Sequence, residues 1–154
     1  MEEELVRILA KKGMYISTAE SCTGGLIAGA IVNAAGASSV FNEGFVTYSN
    51  ESKEKRLGVS HSTLESAGAV SEETVREMAQ GLMKVTGADV TIVSSGIAGP
   101  DGGTVEKPVG LVYLCCCIGN ELYVSRNIFK GDRQQIREQA VRAALELVID
   151  SINK

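Results

Sequence analysis

The chain has one histidine, no tryptophan, two prolines and no run of apolar residues long enough to cross a bilayer. Each scarcity removes a class of answer. With His61 alone, a zinc site built from several imidazoles has too few ligands, and any Ser–His–Asp or Cys–His machinery would have to use this one residue. His61 sits in Ser60-His-Ser-Thr-Leu64, which reads as the exposed start of a helix. Aromatics make up only 5% of the residues, so the core must be aliphatic. The formal charge of -4 supplies no broad basic face for nucleic acid. The acidic start Met1-Glu-Glu-Glu4 is unlike the basic start of a secretory signal, so a cytoplasmic protein without membrane attachment is expected. Three of the four cysteines, Cys115, Cys116 and Cys117, are consecutive. Neighbours on a strand point to opposite faces, which is awkward for a shared metal, so they read as small buried residues of a reducing compartment.

The 154 residues, 44% of them hydrophobic, suit one domain spanning 1–154. Leu5, Ile8 and Leu9 have helical spacing and stop at Gly13. Residues 14–19 read as a strand, and 23–33 as a buried helix. A second strand lies within 41–48. Ser71 caps a helix with Val75, Met78, Ala79 and Leu82 on one face, and Asp132 caps the last helix. Residues 89–94 form a strand, 109–118 and 122–129 a hairpin through Gly119-Asn120. Strand–helix alternation supplies crossovers for parallel strands, while the hairpin forces at least one antiparallel strand. The expected fold is α/β, a three-layer α/β/α sandwich around a mixed, mostly parallel sheet. Ligands of such sheets sit beyond the carboxyl ends of the strands. Ser21, Tyr48 and the loop from Gly96 all follow strands and can meet there.

Ser21 stands where a strand turns into a helix. Free amides at a helix start carry partial positive charge and can hold an anion or an oxyanion. This makes Thr23, Gly24 and Gly25 expected substrate-binding positions. Cys22 is the rival nucleophile, since a helix N-terminus lowers a thiol pKa; local chemistry leaves the choice open. With histidine scarce, the base can be a lysine whose pKa is lowered by burial. If 49–57 is helical, Lys53 can swing back toward Ser21, with Tyr48 relaying a proton or orienting the pair. Lys53-Glu-Lys-Arg56 also has the look of a solvated charge run. Four glycines in residues 96–103 imply a loop wrapping close to a ligand, with Gly99, Asp101 and Gly102 as contacts. The loop lacks both the dinucleotide and the Walker A patterns. Arg133, at the start of the last helix, is a candidate phosphate contact.

Five segments together resemble the CinA C-terminal domain family: Thr18-Ala-Glu-Ser-Cys-Thr-Gly-Gly25, Gly44-Phe-Val-Thr-Tyr-Ser-Asn-Glu51 with Lys53, Gly68-Ala-Val-Ser71, Ser95-Gly-Ile-Ala-Gly-Pro-Asp-Gly-Gly103 and Lys107-Pro-Val-Gly110. The resemblance covers nearly the whole chain. It implies an α/β/α fold and, as in the stand-alone nicotinamide-nucleotide amidohydrolases of that family, deamidation of nicotinamide mononucleotide to nicotinate mononucleotide and ammonia. It further implies a Ser–Tyr–Lys set, carried here by Ser21, Tyr48 and Lys53. Neither metal nor cofactor is called for, the partner is a small nucleotide substrate, and a homodimer is expected. Larger relatives add an N-terminal domain resembling molybdopterin-binding proteins, for which these 154 residues hold no counterpart.

Overall fold

The computed structural model describes residues 1–154. Six α-helices and five strands follow one another, with a short 3-10 helix (Ala37–Ser39) between the second helix and the second strand: α1 (Glu2–Lys12), β1 (Ile16–Glu20), α2 (Leu26–Val32), β2 (Phe41–Val46), α3 (Asn50–Leu57), α4 (His61–Ser66), α5 (Glu72–Thr86), β3 (Val90–Gly96), β4 (Leu111–Ile118), β5 (Glu121–Ile128) and α6 (Arg133–Ile152). The strands form one sheet in the order β2-β1-β3-β4-β5. β1 is parallel to both β2 and β3, β4 is antiparallel to β3, and β5 antiparallel to β4. Four of the five strands therefore point the same way, the mixed, mostly parallel sheet expected from the alternation and the hairpin.

Period-two alternation divides the interior. On one face Ile16, Ile92, Val112, Leu114 and Cys116 pack with Leu5, Leu9, Ile27, Ile31, Ile136 and Val148 of α1, α2 and α6. On the other, Ala19, Val93, Cys115 and Cys117 pack with Leu57, Leu64, Val75, Met78 and Leu82 of α3, α4 and α5. The three consecutive cysteines thus alternate between two aliphatic layers, all free and buried. Burial pushes the Cys115 thiol up to about 12 and raises Cys116 and Cys117 as well. No helix is long and apolar enough to cross a membrane.

Caps set the helix limits. Ser71 accepts from the Thr74 amide at the start of α5, and Asp132 and Gln135 form a reciprocal capping box on α6. The start of α2 differs from the sequence expectation. The helix begins at Leu26 rather than Thr23, because Gly24 and Gly25 adopt positive φ (58° and 101°) in a preceding turn.

Close packing of α3 on α5 fixes the height of Lys53. A methyl group at Gly81 of α5 would overlap the carbonyl oxygen of Leu57, the last residue of α3. Since backbone cannot step aside as a side chain can, Gly81→Ala is expected to cost about 1–3 kcal/mol. A thermal melt would show a lower Tm.

Candidate active site

Alternation along β1 aims its last residues in opposite directions. Glu20 turns beneath α2, whereas Ser21 continues toward the side of α3. The Ser21 amide still donates to the Ser94 carbonyl at 3.0 Å, as if β1 ran one residue further. On the facing side, Ser49 caps α3 by accepting from the Ser52 amide. Within α3, Lys53 and Leu57 are the two buried residues, four apart and therefore on one helix face. Lys55 and Arg56 are exposed. The charge run is solvated apart from Lys53, which is only 1% exposed.

The Lys53 Nζ lies 3.1 Å from the Ser21 Oγ, 2.9 Å from the Thr47 carbonyl oxygen and 3.2 Å from that of Tyr48. No carboxylate forms an ion pair with it; all five ion pairs of the chain lie elsewhere. Burial without a counter-charge lowers the Lys53 pKa from 10.5 to about 8. The two carbonyls have a directional consequence. A neutral amine that donates its two protons to them is left with one lone pair, and the remaining partner is the Ser21 hydroxyl.

The phenol of Tyr48 is arranged otherwise than the sequence reading supposed. It is the Tyr48 carbonyl that meets the pair, accepting from Lys53 and, while Lys53 is an ammonium, from the Ser21 hydroxyl at 3.4 Å. The Tyr48 hydroxyl instead accepts from Arg133 Nη2 at 3.2 Å, while Arg133 Nη1 donates to the Gly99 carbonyl at 2.7 Å. Arg133 thereby ties the start of α6 to both the β2–α3 junction and the glycine loop.

Ser21, Cys22, Tyr48, Lys53, Gly99, Asp101, Gly102 and Arg133 line a single cleft of about 280 Å³. Ala69, Val70, Ile97 and Ala98 add an apolar wall. Thr23, Gly24 and Gly25 lie outside that lining. The Thr23 hydroxyl is buried between Glu20 Oε1 (2.6 Å) and Ser94 Oγ (2.7 Å), and the Gly24 amide donates to the Ser21 carbonyl. The first amides of α2 are occupied too: Ile27 and Ala28 donate to the two Glu20 carboxylate oxygens at 2.8 and 3.0 Å. Glu20 therefore fills, from inside the protein, the anion site expected at this helix start. Amides of cleft residues that donate to no group of the chain include those of Cys22, Tyr48, Ala69, Val70, Ala98, Gly99, Asp101 and Gly102.

The rivalry between Ser21 and Cys22 also finds a physical basis. Cys22 is 6% exposed and packs in the α2 layer. Burial pushes its thiol up to about 11, so the thiolate is scarce at neutral pH. Cys22→Ser is expected to keep activity within a few-fold of the parent, measured as initial rate. Near-total loss would return the nucleophile to the thiol.

Two residues that the sequence did not single out complete the surroundings. Glu20 anchors the turn from below. Arg137 of α6 holds it from the side, donating to the Cys22 carbonyl from Nε at 2.9 Å and to the Thr23 carbonyl from Nη2 at 3.2 Å. The lone His61 has its ring nitrogens 3.1 Å from Glu54 and Glu65 on the outer surface, as expected for an exposed helix start. The hydrogen bond and charge of Glu54, then the charge of Glu65, raise its pKa.

Comparison with known proteins bears on the family and the fold. The family model described as the CinA C-terminal domain matches residues 1–152. A CinA-like protein of Kosmotoga olearia is 55% identical over 148 residues, which are 96% of this chain and 36% of that protein. The chain thus spans just over a third of the length of the curated relatives it matches. Among solved structures, a competence/damage inducible protein of Agrobacterium tumefaciens superposes with a TM-score of 0.92 at 43% identity, covering 99% of this chain and 96% of that one. The competence damage-inducible protein A of Klebsiella pneumoniae gives 0.94 at 36% identity, covering 99% and 97%. The chain belongs to the CinA C-terminal domain family.

Proposed function

We propose that the cleft is the active site of an amidohydrolase that removes ammonia from the carboxamide of nicotinamide mononucleotide, with Ser21 as nucleophile and Lys53 as base. The observation that carries this reading is the contact of a buried, unpaired lysine with a serine hydroxyl at 3.1 Å. A structural lysine gains little from such a place. Its ammonium loses hydration and finds no carboxylate, while a base poised near neutrality requires that loss.

Neutral Lys53 takes the Ser21 proton as Oγ attacks the carboxamide carbon, giving a tetrahedral oxyanion. The free amide of Cys22, together with an amide of the 98–102 loop, stabilises that oxygen; this replaces Thr23, Gly24 and Gly25 in the role. The Lys53 ammonium passes its proton to the leaving nitrogen, the C–N bond breaks, and ammonia departs. Water then adds to the ester carbon while Lys53 accepts its proton, and the proton returns to Oγ as the carboxylate product leaves. Tyr48 contributes its carbonyl to the aim of the lysine. Arg133, with donors to spare, takes the phosphate.

The volume supports a compact ligand, since about 280 Å³ lies near the lower end for small-molecule sites. The test is ammonia release from nicotinamide mononucleotide by the intact protein, repeated from pH 6 to 10. Because Lys53 works as the neutral amine and burial places its pKa at about 8, kcat/KM is expected to rise with pH and level off above that value. Saturable binding with no ammonia at any pH would leave a nucleotide-binding module in place of an enzyme.

A further inference from the structure

Only three charged side chains line the cleft, and they are not equivalent. Lys53 is enclosed at its floor with all three neighbours belonging to the chain. Arg133 spends two of its N–H groups on Gly99 and Tyr48, has no acidic partner and keeps donors free. Asp101 lies two residues beyond the Gly99 carbonyl that Arg133 holds. Yet it forms no ion pair with Arg133 or any other cation, and its carboxylate accepts no hydrogen bond within the chain.

The loop nevertheless holds Asp101 in place. Gly99 and Gly102 on either side adopt φ of 77° and 91°, and a side chain at Gly99 would collide with Val109. Further along, the Thr104 amide donates to the Lys107 carbonyl, and Lys107 Nζ donates to the Ala67 carbonyl at 2.6 Å. The loop thus presents an unpaired anion in the same cleft as an unpaired cation, with Ala69, Val70, Ile97 and Ala98 as its apolar lining.

We infer that Asp101 is a specificity-determining residue that selects a positively charged heteroaromatic ring, so that the cleft takes a zwitterion with its cation against Asp101 and its anion against Arg133. This rests on the amidase reading for the identity of the reacting group. A positive ring conjugated to a carboxamide withdraws electron density from the amide carbon. Asp101 therefore selects the form of the substrate most open to attack by Ser21. An uncharged ring of the same shape offers the carboxylate nothing in return for its desolvation.

The test measures binding to the Ser21→Ala protein, which stops turnover. Two probes are titrated by calorimetry: nicotinamide mononucleotide and its reduced dihydro form, which has a neutral ring and the same amide, sugar and phosphate. The oxidised form is expected to bind more tightly by about fivefold, the upper range for an exposed ion pair. Adding Asp101→Asn is expected to erase that preference by weakening the oxidised form alone, whereas Arg133→Gln weakens both forms alike. Equal weakening of both forms by Asp101→Asn, an undiminished preference, or no binding of either form by the Ser21→Ala protein overturns the inference. Ammonia release by the parent protein is followed separately. Its absence removes the amidase reading, while the ring preference is still decided by the titrations.

Discussion

Lys53→Met is expected to lower ammonia release by about 10³-fold or more while leaving the protein as stable as the parent, or more so, at pH 7. The two effects have one cause. Lowering the lysine pKa from 10.5 to about 8 corresponds to about 3 kcal/mol held against the buried ammonium. Methionine fills nearly the same volume without that charge. The opposing loss is the Thr47 carbonyl, which Lys53 now satisfies at 2.9 Å and which is left without a donor, at about 1–3 kcal/mol. The Tyr48 carbonyl keeps the Ser21 hydroxyl. The balance is a stabilisation of about 1 kcal/mol, or a few degrees in Tm for a chain of this size.

The pH dependence of that balance separates burial of charge from packing. Between about 8 and 10.5 the unfolded chain holds a proton on Lys53 that the folded chain has released. More protons bound in the unfolded state means that parent stability rises with pH across this window. The Met variant has no such group. Its advantage in Tm should therefore be largest at pH 7 and disappear by about pH 10. An advantage constant across that range would assign the effect to packing.

Ser21→Ala carries the largest expected loss of activity, about 10⁴-fold or more, because no other hydroxyl meets the lysine. Its structural cost is small. The removed oxygen is one of three Lys53 partners, and the Ser21 backbone retains its bond to Ser94. A folded protein with an unchanged melting profile and no ammonia release is the expected result, checked by circular dichroism and a coupled ammonia assay. Cys22 cannot substitute, since its buried thiol is ionised only at alkaline pH.

Much of this organisation was readable from local patterns. The Ser71 and Asp132 caps, the Gly119-Asn120 hairpin and the alternation that splits Cys115, Cys116 and Cys117 between two layers depend on neighbours in sequence. So does the inward face of α3: Leu57, four residues after Lys53, marks the same side of the helix. What escaped depends on groups distant in sequence or on a competition between equivalent ligands. The amides at the start of α2 looked free because nothing local shows that Glu20, bending back from β1, takes them. The Tyr48 phenol looked like a partner of Lys53 because the two are close in sequence, but Arg133, 85 residues away, binds it. Arg137 reaches the Cys22 carbonyl across 115 residues, and no spacing rule points to it.

Whether Ser21 carries the acyl group is decided by quenching the protein with acid during turnover of nicotinamide mononucleotide and mapping the peptide containing Ser21 by mass spectrometry, with hydroxylamine added in a parallel sample. The expected result is a Ser21 ester whose added mass equals the nucleotide less ammonia, and a hydroxamate in place of part of the carboxylate product. An adduct on Cys22, or continued ammonia release with Ser21 unmodified and no hydroxamate formed, would contradict it.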